Sequence, residues 1–343
     1  MDPQIKQRFT EDHLREAMDR FGIAAGNIKP LDGFESFIYE FSRPDGEYIL
    51  RIGHSERRSE AMIRGEVDWI NHLARGGAAV ARAIESARGN LVEGIDDGHG
   101  SQFLATAFVK AEGQEPRREM GTPRLIQTWG QAIGRMHALT KQYRPSGPNC
   151  IRPHWDDPEI NSLPDILPPE DAQAREHARN LLDYLHRLPI EPESYGLIHQ
   201  DAHMGNFFVA SEDTITLFDF DDCCYSWFAN DIAIVLFYAV MWEEDKAAYT
   251  RYFLDNFMAG YRRENQLDPV WLREIPPFLK LREIDLYAVI LKDFGEEYVN
   301  HPWCAGYMRG RRERVCENLP YIEDFDFDLY AEQYRACVME GKG

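Results

Sequence analysis

The spacing of apolar residues changes once along this chain, from short strand-like runs to helical stripes. Phe37 to Phe41 and Tyr48 to Ile52 are apolar runs separated by Pro44, Asp45 and Gly46, turn chemistry that predicts a β-hairpin. Ser59 to Arg75 places Met62, Trp69, Ile70 and Leu73 on one helical face and stops at Gly76 and Gly77. Val80 to Ile84 and Phe103 to Val109 predict two further strands. After Gly113 the stripe Leu125, Ile126, Trp129, Ile133 and Met136 predicts a helix with Thr122 as its cap and Pro123 at its first position. Residues 145–169, rich in proline, read as a surface connection, and Ala172 to Leu188 as a second helix. Beyond Asp231, which should cap the first of them, the aromatic-rich segments read as a helical bundle. No internal repeat or low-complexity linker marks a boundary. The change of pattern therefore sets it, giving a strand-rich part over residues 1–110 and a mainly helical part over 111–343, an α+β organisation.

Composition narrows the class of function. With 343 residues and 44% hydrophobic content, the chain can fill two packed lobes and is too apolar to be disordered. Its longest apolar run, Ile232 to Trp242, is well short of the roughly 20 residues of a membrane helix, and no apolar leader follows the opening residues. A soluble, cytoplasmic protein with no membrane partner is expected. Cys150, Cys223, Cys224, Cys304, Cys316 and Cys337 show neither zinc-site spacing nor the density of a disulfide framework, so they read as reduced thiols. The net charge of −20 argues against nucleic acid as a partner; it suits a cationic small ligand, or serves solubility alone.

The chemistry concentrates between residues 195 and 231. Phe207 to Val209 and Thr214 to Phe218 flank the turn Ser211-Glu212-Asp213, again a hairpin signal. A turn centred between residues 212 and 213 would set Asn206 opposite Asp219, bringing an amide oxygen and a carboxylate to one point on one side of the ladder. Such a donor pair suits magnesium, which also binds substrate phosphates. Asp201, five residues before Asn206 on the loop entering the first strand, can supply a third acidic group. Phosphoryl transfer needs a carboxylate to orient the acceptor hydroxyl and take its proton, and metal to neutralise nucleotide charge.

HQDAHMGN at 199–206 followed by LFDFDD at 217–222 resembles the HGDxHxxN and IDFxD motifs of the aminoglycoside phosphotransferase and choline kinase superfamily. The resemblance implies a bilobal protein-kinase-like fold, with a small antiparallel-sheet N-lobe that binds nucleotide and a larger, mainly helical C-lobe. It implies an ATP-dependent kinase using Mg2+, with Asp201 as catalytic base, Asn206 and Asp219 as metal ligands, His199 bracing the catalytic loop and Asp231 a structural aspartate. Gln200 replaces the family's usual glycine, and Asp221 stands where protein kinases have the glycine of DFG. A contact to metal or substrate and a structural hydrogen bond are both open to Asp221.

On the nucleotide side, Leu31 to Phe37, with Gly33 and Ser36, resembles the phosphate-covering loop of these kinases, and Arg51 occupies the position of their phosphate-binding cation. Glu66 lies four residues from both Met62 and Ile70, on the face that the helix would bury, and either pairs with Arg51 or edges the stripe in solvent. By position within the resemblance, Thr106 and Phe108 belong to the hinge that would meet adenine. The acceptor is expected to be a small hydroxylated molecule, an amino sugar, amino alcohol or amino acid. A bacterial stress-type protein kinase or a non-catalytic nucleotide-binding member would share the fold. From a different class, His199, Asp201, His203 and Asp219 could ligate the metal of a hydrolase, a reading that leaves Arg51 and Glu66 unexplained.

Overall fold

The computed structural model describes residues 2–33, 35–117, 121–158 and 163–340. Phe34 of the expected phosphate-covering loop and residues 159–162 of the proline-rich connection lie outside them. The chain forms two compact units: residues 1–116, 142–152 and 206–223 make the first, and 117–141, 153–205 and 224–343 the second. The pattern change near residue 110 lies close to the first passage between units. The later segments that rejoin the first unit carry no comparable mark in the sequence.

The first unit begins with α1 (Pro3–Arg8) and α2 (Glu11–Phe21), followed by strands β1 (Ile28–Leu31), β2 (Phe37–Arg43) and β3 (Gly46–His54). Helix α3 (Glu60–Arg75) then leads to β4 (Ala83–Ile84), β5 (Glu93–Asp96) and β6 (Gln102–Val109). The sheet is antiparallel in the order β1-β2-β3-β6, with β4 and β5 both on the far edge of β6. Alternation decides what each face carries. Leu50 and Ile52 of β3 join Phe103, Ala105 and Ala107 of β6 in one core, which Ile5, Ala17 and Phe21 of the first two helices complete. Leu104 turns the other way and packs with Ile63 and Val67 of α3, Ala83 and Val92. Arg51 and Thr106 are register partners between the two core positions of their strands, so they fall on the α3 side of the sheet. Helix α3 starts where its sequence predicts, with Ser59 Oγ accepting from Met62 N at 3.3 Å.

The second unit holds α4 (Pro123–Thr140), the short α5 (Leu163–Ile166), α6 (Ala172–Leu185) and β7 (Tyr195–Ile198). The chain then returns to the first unit for the hairpin β8 (Phe207–Ser211) and β9 (Thr214–Leu217). Back in the second unit, β10 (Cys224–Trp227) pairs antiparallel with β7, and helices α7 (Phe228–Ala239), α8 (Lys246–Tyr261), α9 (Ile275–Phe294), α10 (Pro302–Met308), α11 (Arg311–Cys316) and α12 (Phe327–Met339) follow. Thr122 caps α4 as its sequence predicts, accepting from Leu125 N at 3.2 Å. No helix among the described residues is long and apolar enough to cross a membrane.

Helices α4 and α8 approach so closely that side chains are excluded at the contact: a Cβ added to Gly130 would lie 2.0 Å from the Phe257 carbonyl oxygen. Gly130→Ala must push the helices apart, and overpacking of this kind costs about 1–3 kcal/mol. Chemical denaturation should show that loss; an unchanged midpoint would mean that the helices have room to separate.

Candidate active site

The loop that carries Asp201 leaves β7 and is tied down by Asp231. Both Asp231 oxygens accept from successive backbone amides, Oδ2 from His199 N at 3.0 Å and Oδ1 from Gln200 N at 2.9 Å. Asp231 was expected to cap its helix, but α7 begins at Phe228 and Asp231 lies within its first turn. There its fully buried carboxylate serves the neighbouring loop instead. Burial of this charge is tolerable because a third group, His137 Nε2, bonds it at 3.1 Å. His137 Nδ1 meets Tyr261 Oη at 2.9 Å, and Asn265 Nδ2 donates to the same hydroxyl at 2.8 Å. Burial pulls the His137 pKa down against the opposing pull of Asp231. The neutral ring can then donate from Nε2 and accept at Nδ1, which satisfies every member of the chain.

Gln200 takes the left-handed conformation, φ +70°. Glycine would adopt it freely, whereas another residue is strained there by about 1–2 kcal/mol. Next to it, Asp201 receives Arg282 Nη2 on Oδ1 at 2.5 Å and pairs with His203 Nε2 through Oδ2 at 3.3 Å. Arg282, on α9, also donates to Tyr238 Oη at 2.7 Å and to Asp285 at 3.2 Å. Burial would raise the Asp201 pKa, but Arg282 and then His203 outweigh it and hold the carboxyl below its ordinary value. The group is therefore an ionised carboxylate at neutral pH. His199, expected to brace this loop, is buried and accepts from Asp201 N at 3.4 Å.

In the first unit, Arg51 and Glu66 form a buried two-pronged pair, with Nη1 to Oε1 at 2.8 Å and Nη2 to Oε2 at 2.6 Å. Glu66 is thus a paired charge and not a solvated edge of α3. The Phe108 ring centre lies 5.0 Å from the Arg51 guanidinium carbon, and Thr106 Oγ1 reaches the Arg51 carbonyl at 3.4 Å. Gly33 permits a fold-back that a side chain would block, since a Cβ there would lie 2.3 Å from Ser36 O.

The hairpin departs from its expected register. An irregularity between Val209 and Ser211 makes Phe207 pair with Leu217, and Phe218 N donates to Asn206 O at 2.9 Å. Asn206 therefore faces Phe218 and not Asp219. In a regular ladder that one-residue offset would send the two side chains to opposite faces. Asp219 escapes the alternation because it lies beyond β9 and has φ +61°. Asp219 is exposed to solvent, yet desolvation by the protein around its carboxyl pushes it up to about 7; Arg51 opposes the shift, while the like charges of Asp221, Asp222 and Glu66 add to it. Asp221 behaves in the opposite sense: against burial, Arg57, Arg51 and Arg58 hold its pKa well below the usual range. Asp221 bonds Arg57 directly and lies 3.5 Å from Arg58 and 3.9 Å from Arg51. The acidic segment is fixed from behind by buried Arg152, which donates to the carbonyls of Asp221 at 2.7 Å, Cys223 at 2.7 Å and Met62 at 3.1 Å.

Comparison with known proteins decides the family. Residues 27–269 match the phosphotransferase enzyme family. This chain belongs to that family. Amicoumacin kinase of Bacillus subtilis (strain 168) is 39% identical to the phosphotransferase over 333 residues, covering 94% of this chain and 97% of that protein. A solved structure of amicoumacin kinase hAmiN in complex with AMP-PNP, Ca2+ and Ami superposes with a TM-score of 0.89 at 34% identity, covering 96% of this chain and all of that one. The microcompartment-associated aminopropanol kinase shares the fold, with a TM-score of 0.69 at 21% identity over 90% of this chain and 98% of that one. The α+β, bilobal, protein-kinase-like architecture is thereby established.

The hydrolase alternative fails in this phosphotransferase. Among the described residues, only His54, Glu56 and Asp97 gather three ligand atoms closely enough for one ion, and His199, Asp201 and His203 form no such group. Arg8 already bonds Glu56 at 2.7 Å and Asp97 at 3.1 Å, making that cluster an ion-paired tie between α1 and the sheet.

Sequence reasoning did not find Arg282, Tyr238, His137 or Arg152. Their only local signal is a polar group inside an apolar helix or loop, and 81 positions separate Arg282 from Asp201.

The raised Asp219 pKa has a definite sign. An unfolded aspartate titrates near 3.9, so protonated Asp219 favours the folded state, and this contribution disappears as pH rises through about 7. In metal-free, nucleotide-free buffer, Asp219→Asn should melt slightly above the parent at pH 8, since solvent around this exposed residue screens much of the effect, and the gap should narrow toward pH 5. A difference in Tm that does not vary with pH would show that Asp219 is not the group responsible.

Proposed function

We propose that this phosphotransferase moves the γ-phosphoryl group of magnesium-ATP to a hydroxyl of amicoumacin or a closely related small molecule. The kinase 39% identical over nearly the whole chain supports the acceptor, and AMP-PNP in the related complex supports the nucleotide. The observation that carries the reading is the state of Asp201, a carboxylate kept ionised by Arg282 and His203 on a loop whose backbone Asp231 fixes. Such a group can accept a hydrogen bond from the attacking hydroxyl, aim its oxygen and take its proton as the new P–O bond forms.

The other assignments follow from charge. Arg51, oriented by Glu66, would grip nucleotide phosphate oxygens, a task suited to a planar guanidinium. Gly33 and Ser36 would cover those phosphates, with Thr106 and Phe108 on the adenine side. Asn206 and Asp219 offer the hard oxygen donors that magnesium or calcium prefers, and the like charges of Asp221, Asp222 and Glu66 around Asp219 would favour a cation there. When bound there, the metal supplies neutralisation of the nucleotide phosphates. Asp221 is occupied by arginines and is better placed to hold them than to meet substrate.

The test is a magnesium-ATP-dependent phosphorylation assay with amicoumacin, read by phosphorus NMR. Asp201→Asn should lower kcat by roughly 10²–10⁴-fold while nucleotide binding persists. Turnover at the parental rate in that variant would remove Asp201 from the reaction. No transfer to amicoumacin by the parent enzyme would overturn the proposed acceptor.

A further inference from the structure

A cleft of about 730 Å³ opens in the second unit between the start of α8 and α11 with the loop that follows it. Lys246, Arg311, Arg314 and Tyr321 supply its cationic and aromatic side. The exposed carboxylates of Glu244, Asp245, Glu323 and Asp324 complete the lining.

The two carboxylates that attract Lys246, Glu283 and Glu323, are bonded to other cations. Buried Glu283 takes Lys280 Nζ on Oε2 at 2.5 Å and Arg311 Nη1 on Oε1, and Glu323 accepts from Arg314 Nη1 at 2.7 Å. Asp245 caps α8, accepting from Ala248 N at 2.9 Å. Among the described residues, the Lys246 amine has no hydrogen-bond or ion-pair partner; its contact is the Tyr321 ring, whose centre lies 4.2 Å from Nζ. An aromatic face compensates a charge only in part. Burial, then Arg311 and Arg314, bring the amine down to about 8 against the opposing pull of Glu283 and Glu323. At pH 8 about half of these amines are therefore neutral and nucleophilic.

Arg311 shows what charge the position would accept. It spends Nε on the Tyr307 carbonyl at 3.3 Å and Nη1 on Glu283, which leaves Nη2 without a partner among the described residues. Its guanidinium carbon lies 5.6 Å from the centre of the same Tyr321 ring. A carboxylate formed on the Lys246 nitrogen would turn a like-charge contact into an attractive one, with a guanidinium N–H to donate to it. The reagent that forms it must pass four exposed carboxylates, which repel anions and do not impede an uncharged electrophile such as carbon dioxide.

We propose that Lys246 is a site of reversible carbamylation by carbon dioxide, its carbamate held by Arg311 and Arg314. The nitrogen lone pair forms the N–C bond, one C–O π pair moves onto oxygen, and nitrogen releases one proton to water. The product is a lysine carbamate anion, and reprotonation with loss of carbon dioxide returns the amine.

Trapping tests this directly. Full-length enzyme in isotopically labelled bicarbonate at pH 8 is treated with triethyloxonium, which converts a carbamate into a stable ethyl ester, and its peptides are read by mass spectrometry. Ethyl carbamate carrying the labelled carbon should be roughly fivefold or more abundant on Lys246 than on the exposed Lys6 and Lys292. Arg314→Gln keeps the amine and removes a neighbouring cation, so it should cut the Lys246 adduct roughly threefold or more. No adduct on Lys246, equal labelling of the three lysines, or a Lys246 adduct indifferent to Arg314→Gln would overturn the site.

Discussion

The second unit depends on one carboxylate holding two consecutive amides. Asp231 fixes the backbone of His199 and Gln200, and so fixes the direction in which the chain enters Asp201. A side chain can impose this only if it is itself immobile. The relay through His137, Tyr261 and Asn265 supplies that immobility from α4 and α8, whose close contact at Gly130 leaves little freedom. The positive φ of Gln200 belongs to the same arrangement: with both neighbouring amides committed to Asp231, the turn must be tight. Removing one partner from a buried network of this kind costs more than the bond itself, because the groups left behind stay buried and unpaired.

Charge in the first unit follows a related logic with a different result. Glu66 is a buried carboxylate and Asp221 a partly buried one, arginines match the negative charge of both, and Asp221 ionises more readily for it. Asp219 lies among the same groups, but there desolvation and the like charges of Asp221, Asp222 and Glu66 outweigh Arg51 and oppose its ionisation. One acidic segment thus contains a satisfied carboxylate and a dissatisfied one two residues apart. Perturbed titration of this sort concentrates where function requires a charge that the protein alone does not balance.

Much of this was legible in the sequence, for identifiable reasons. The β2–β3 hairpin, the capped α3 and α4 and the β8–β9 hairpin all announce themselves through turn and cap chemistry over a few residues. The Arg51–Glu66 pair was within reach because helical phase put Glu66 on a face that buries, where a charge needs a partner. Long-range partners had no such signature: Arg282, Arg152 and His137 act on loops that only the folded chain brings near them. The register of the β8–β9 hairpin failed for a subtler reason. A bulge adds one residue to one strand without any glycine or proline to mark it, so symmetric counting from the turn goes wrong by one position at the far end.

That bulge also separates the tip of the hairpin from its base. Leu217 exchanges backbone hydrogen bonds with Ala79 and Ala81, and Val209 does so with Gln114, so the end carrying Asn206 and Asp219 is gripped from outside the hairpin. Residues 210–213 lie past those grips. Insertions or deletions arising there during descent would be absorbed by the tip, and lineages of this enzyme can diverge in length at that point while the amide and carboxylate at the base keep their places.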